Sequence, residues 1–177
     1  MHYERTETWW HLTKPWHDYV ARCSYLLRQG HFVADICYMQ PEGGPQESAT
    51  LDNGPGNPPR RPGYNYDFCP AEVVRTRMEF KGGFLTLPGG MTYRILALPD
   101  SPTMTPELLR KIQQLVDAGA TVVGPRPQKS PSLSHFPHCD VEVKTLVAAL
   151  WDTGKILSGK TPAEIRVPPP WPASDCQ

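Results

Sequence analysis

The stretch MTYRILALPDSPTMTPELLRKIQQLVDAGATVVG, residues 91–124, decides the fold. MTYRILAL is apolar and rich in β-formers, and it reads as a core strand. Thr105-Pro106 then opens an amphipathic helix with Leu108, Leu109, Ile112, Leu115 and Val116 on one face. Gly119 suits its C-terminal end, and ATVVG at 120–124 reads as a further core strand. Strand, helix and strand in succession predict parallel pairing through a crossover.

The same grammar extends outward. KPWHDYVARCSYLLRQG, residues 14–30, places Trp16, Tyr19, Val20, Cys23, Leu26 and Leu27 at helical spacing. Pro15 fits the first turn of that helix and Gly30 its cap. FVADICY at 32–38 reads as a buried strand. DFCPAEVVRTRM at 67–78 predicts a short helix starting near Asp67, with Pro70 in its first turn. Leu85 to Gly90 reads as a strand entering a tight turn. Asp140 is placed to cap a last helix carrying Val143, Leu146, Val147, Leu150 and Trp151, and 155–157 reads as a fourth strand. The expected class is α/β: a three-layer, mainly parallel sheet over residues 31–157, with helices on both faces. Phe32–Tyr38, Met91–Leu98 and Ala120–Val123 should be adjacent central strands.

Two stretches fall outside this pattern. Residues 40–64 are rich in Pro and Gly, cannot hold a regular element, and are expected to be mobile. Residues 158–177 form a Pro-rich tail.

Composition narrows the function classes. The 177 residues are 39% hydrophobic and 20% charged, enough for one domain or slightly more. Lys+Arg and Asp+Glu both number 18, so there is no basic footprint for nucleic acid and no polybasic membrane patch. No apolar run reaches the ~20 residues of a membrane helix, and Met1–Trp10 does not resemble a secretory signal. The five cysteines form no C-x-x-C pair and read as buried free thiols.

Candidate chemistry is sparse. The chain has no G-x-G-x-x-G, no P-loop and no G-x-S-x-G, so flavin, nucleotide and serine-hydrolase readings lack their motifs. Cys139 with His138 and His135 falls short of a soft-metal ligand set and reads as a polar loop. Glu4 with Glu7, or Asp35 with Asp67, could pair as carboxylates, but sequence does not set their separation. Residues 2–16, HYERTETWWHLTKPW, crowd three tryptophans among charged side chains. That mixture suits stacking on sugar rings, and equally a segment docking its tryptophans into an interface.

Several long blocks, in order, resemble bacterial glycoside hydrolase family 106. They are HYERTETWW (2–10), KPWHDYVARCSYLLRQGHFVADICYMQPEG (14–43), PGYNYDFC (62–69), LPGGMTYRILALP (87–99), MTPELLRKIQQLVDAGATVVGPRPQKSPSL (104–133) and CDVEVKTLVAALW (139–151). The family contains α-L-rhamnosidases, which are several times longer than 177 residues. The resemblance implies that residues 1–30 are the last segment of a catalytic (β/α)-barrel and that 31–157 are a flavodoxin-like, amidotransferase-like accessory domain.

It further implies that the catalytic carboxylates lie upstream of His2. No residue of this chain is therefore assigned a catalytic role. His2, Arg5, Trp9 and Trp10 match a motif near the sugar pocket and are expected to touch substrate. The resemblance implies no cofactor in this chain and a divalent metal such as calcium in the parent. The implied partners are a carbohydrate and the missing barrel, and the parent would be periplasmic or secreted. The chain would then be a fragment, inactive by itself. The rival expectation is a free-standing, non-catalytic flavodoxin-like binding module.

Overall fold

The computed structural model describes residue 6 and residues 8–43, 64–159 and 164–165. The chain divides into two units, Met1–Phe32 and Val33–Gln177. In the first, Trp10–Leu12 forms a short 3-10 turn and Lys14–Leu27 an α-helix, α1. Pro15 lies in its first turn as expected, and Gly30 has a φ of 88° beyond its end. None of the α1 residues is buried.

In the second unit, four strands form a parallel sheet: β1 (Ile36–Met39), β2 (Tyr66–Cys69), β6 (Ile95–Ala97) and β7 (Thr121–Val123). Their spatial order is β2-β1-β6-β7. The three central runs expected from the sequence are therefore neighbours, with Ile36 opposite Ile95 and Ile95 opposite Thr121. Helices α2 (Ala71–Arg77), α3 (Pro106–Asp117) and α4 (His138–Val147) pack against one face of the sheet. The fold class is the expected mainly parallel α/β.

The two-residue side-chain period of the strands sorts the core. Cys37, Met39, Leu96 and Val122 face a large cluster with Val74 of α2, Leu108, Leu109 and Ile112 of α3, and Val143 and Val147 of α4. Ile36, Tyr38, Ile95, Ala97 and Val123 face the opposite way, packed with Tyr64, Tyr66, Phe68 and Leu157. Each large apolar side chain buried this way contributes roughly 2 kcal/mol. The α3 face is as read from its period, and the Thr105 side chain caps the helix by accepting from Leu108 N.

Some elements differ from expectation. Tyr66–Cys69 is an edge strand, so Asp67 starts no helix; α2 begins after Pro70, which serves as its N-cap. The 91–98 run is divided at Arg94. Thr92–Tyr93 (β5) pairs antiparallel with β4 (Phe84–Thr86), which pairs with β3 (Glu79–Lys81) in a separate small sheet. Arg94 makes the break: its N donates to Asp35 O at 2.8 Å and its Nε approaches Asp35 Oδ1 at 3.3 Å.

The first strand begins at Ile36 rather than Phe32, which is exposed together with Val33. Asp140 lies inside α4 rather than capping it; Pro137 holds the cap position. Residues 155–157 contribute only a single parallel bridge, Leu157 to Val123. The mobility expected of 40–64 concerns mainly residues outside those described, as does most of the 158–177 tail.

Gly124 ends β7 at a φ of 150°, and a Cβ there would lie 2.5 Å from Leu98 Cβ. Only glycine lets these two chain segments approach so closely.

Candidate functional site

In open parallel sheets, ligands sit beyond the carboxyl ends of the strands. Here those ends lead into residues 40–43, 98–105 and 124–137. The N-terminus of α3 points into this region and would favour an anion. The protein supplies that anion itself. The Glu42 carboxylate accepts from Thr105 N at 2.6 Å and from Thr105 Oγ1 at 2.7 Å. A phosphate at the same place would have to displace a carboxylate held by two hydrogen bonds.

The neighbouring loop is also tied to its own chain. Asp140 Oδ1 accepts from Ser130 N at 2.9 Å, and Trp151 Nε1 donates to Gly124 O at 3.1 Å. The sequence gives no direct signal for the Glu42–Thr105 contact, because 63 residues separate the partners.

The candidate carboxylates have partners of their own. Asp35 is buried and pairs with Arg94. Asp67 Oδ2 accepts from the Tyr93 hydroxyl at 3.0 Å, and Oδ1 from Phe68 N at 2.8 Å. Burial first, and then the bond to Asp67, raise the Tyr93 hydroxyl well above the usual phenol range. Beside them, on the same side of the β1–β2 pair, the free Cys37 thiol donates a hydrogen bond to the free thiol of Cys69. That bond and burial push the Cys37 thiol up, which makes it inert as a nucleophile.

Cys139 is buried, its thiol directed to Ser132 O at 3.7 Å, while His135 and His138 are exposed. Among the described residues no three His, Cys, Asp or Glu side chains come together to hold a metal ion.

Of the expected sugar-contacting residues, Trp9 and Trp10 are described, at 40% and 42% exposure. Trp10 O accepts from both Thr13 N and Thr13 Oγ1, at 3.1 and 2.7 Å, which fixes the turn before α1. His2 and Arg5 lie outside the described residues, as do Glu4 and Glu7. The sequence reading missed an aromatic cluster. Tyr38, Tyr66 and Phe68 meet with ring centroids 5.6–5.9 Å apart, Tyr66 edge-on to both others. Its signal was the Tyr-x-Phe alternation at 66–68 beside Tyr38.

Fold and site together describe an α/β unit whose carboxyl edge is closed by its own side chains, preceded by a helical, tryptophan-rich segment. The family model described as alpha-L-rhamnosidase, glycoside hydrolase family 106, matches residues 1–166. The chain belongs to that family. It is 38% identical over 154 residues to a putative beta-glucuronidase of Formosa agariphila, a match covering 87% of this chain and 13% of that protein. It is similar to the solved rhamnosidase from Novosphingobium sp. PP1Y, with 33% identity and a TM-score of 0.65. That match covers 87% of this chain and 15% of the solved one. The chain thus spans about one seventh of the length of these relatives. No helix among the described residues is long and apolar enough to cross a membrane.

Proposed function

We propose that the chain is one part of a longer α-L-rhamnosidase-like hydrolase that cleaves terminal glycosidic bonds, and that it hydrolyses nothing alone. The observation that carries this is the pairing of a family match over 1–166 with a span of only 13–15% of the relatives. Glycoside hydrolysis with inversion needs an acid and a base flanking one bond, about 6.5–9.5 Å apart. Asp35 and Asp67 are held by Arg94 and Tyr93, and Glu42 by Thr105, so none of the three is placed for that work.

In this reading the acid and base come from a barrel preceding His2, residues 1–30 complete that barrel, and the α/β unit is an accessory domain. His2, Arg5, Trp9 and Trp10 would then reach the substrate: indole faces stack on sugar C–H faces and the guanidinium meets hydroxyls. The parent would act on a carbohydrate in the periplasm or outside the cell. The described residues of this chain do not fit a divalent-cation site.

The test is the DNA upstream of Met1. The reading expects an in-frame barrel carrying glutamates. A stop codon there, with the chain expressed from its own promoter, would make it a free-standing module instead.

A further inference from the structure

We propose that Cys37, Met39 and Cys69 form a buried three-sulfur site for a soft monovalent cation, copper(I). Cys37 and Met39 alternate on β1 and therefore share a face, and both belong with Cys69 of β2 to the core cluster on the helix side of the sheet. Met39 is the direct strand partner of Cys69, while Cys37 stands opposite Asp67, one diagonal step away. All three are buried, and both cysteines are free. The Cys37 thiol donates to that of Cys69, so two of the sulfurs already face each other. The unbranched, flexible Met39 side chain can bring its thioether to the same point.

The register does not suit a disulfide. The diagonal combines a strand spacing of ~4.8 Å with two residue rises of ~3.3 Å, which sets the Cα atoms about 8 Å apart. A disulfide is confined to roughly 7 Å or less. A metal ion spans more, because two metal–sulfur bonds of ~2.3 Å reach across about 4.6 Å between sulfurs. Thiolate and thioether ligands together select copper(I). Zinc prefers a closed tetrahedron, and the nearby Asp67 carboxylate already accepts from the Tyr93 hydroxyl and Phe68 N. Among the described residues no three His, Cys, Asp or Glu side chains converge to complete one.

Copper(I) replaces one thiol proton. The Cys69 S–H bond breaks, an S–Cu bond forms, and the proton leaves to solvent; Cys37 and Met39 add sulfur lone pairs. The metal stays copper(I), and no electron moves. The net charge of the core is unchanged, so binding buries no unpaired charge. Cys69 ends β2, the outermost strand of the parallel sheet, which gives the ion a short way in.

The experiment uses the full chain with Cys23→Ser and Cys176→Ser, under argon, and titrates it with copper(I) against bicinchoninate as the competing ligand. One equivalent is expected to move to the protein, with an all-sulfur first shell by X-ray absorption. Met39→Leu keeps the volume and both thiols, and should weaken binding about tenfold; Cys69→Ala should weaken it about a hundredfold or more. Cys139→Ala, at the other buried thiol, should leave it unchanged. Circular dichroism checks that each variant is folded, and Met39→Leu decides the question if Cys69→Ala is not. Failure of the chain to take copper(I) from bicinchoninate overturns the proposal. Nitrogen or oxygen in the first shell, or unchanged affinity in Met39→Leu, overturns it as well.

Discussion

Gly124 joins sequence to packing at the scale of one residue. Its φ of 150° and the 2.5 Å approach to Leu98 Cβ leave no space for a methyl group. Gly124→Ala should cost roughly 1–3 kcal/mol, seen as a lower urea midpoint with an unchanged slope.

Tyr93 sets a pH dependence. Its hydroxyl is held protonated, first by burial and then by the bond to Asp67. The unfolded chain releases that proton near pH 10, while the folded chain holds it to higher pH. The unfolded state then binds fewer protons, so stability is full below about pH 10 and falls as pH rises above it. Tyr93→Phe should flatten that fall. An identical slope between pH 9 and 11 would show that the proton is not held there. Arg94 was legible only as a polar residue inside an apolar run. Its pairing with Asp35, which redirects the chain from one sheet to another, depends on a residue 59 positions earlier.

Elements were legible where periodicity was long and unbroken. The α3 stripe repeats over 12 residues and buries the expected side chains except Val116, which is partly buried. Leu109→Ala should therefore cost about 2–5 kcal/mol, measured by denaturant unfolding. A loss under 1 kcal/mol would mean that α3 does not pack as described.

Short elements were not legible. The β2 strand has four residues, stands at the sheet edge and runs into Pro70, so its pattern is easily taken for a helix start. The 155–157 run was apolar enough for a strand but makes one bridge. For α1 the sequence showed the apolar face correctly. Periodicity identifies a face that wants burial, but it carries no information on what buries it.

At the scale of the whole molecule, the site was legible mainly as a shortage. Motif reading found no phosphate cradle, and the structure adds a positive reason: Glu42 fills the α3 N-terminus. Long-range contacts of that kind leave no local pattern in the sequence. Trp9 and Trp10 stood out through composition alone, and both present surface. Charge pairs such as Arg110 with Glu142 and Arg126 with Asp152 lie on the exterior and add at most about 1 kcal/mol each.

The central claim is that this chain carries the accessory part of a glycosidase and not its catalytic pair. The most direct measurement is release of aryl alcohol from an aryl α-L-rhamnoside by the purified 177-residue chain, with the Novosphingobium rhamnosidase as positive control. The account predicts no turnover above buffer from the chain and full turnover from the control. Turnover by the chain that disappears on Glu4→Gln or Glu7→Gln would contradict it, and would place the catalytic centre within the first residues of this sequence.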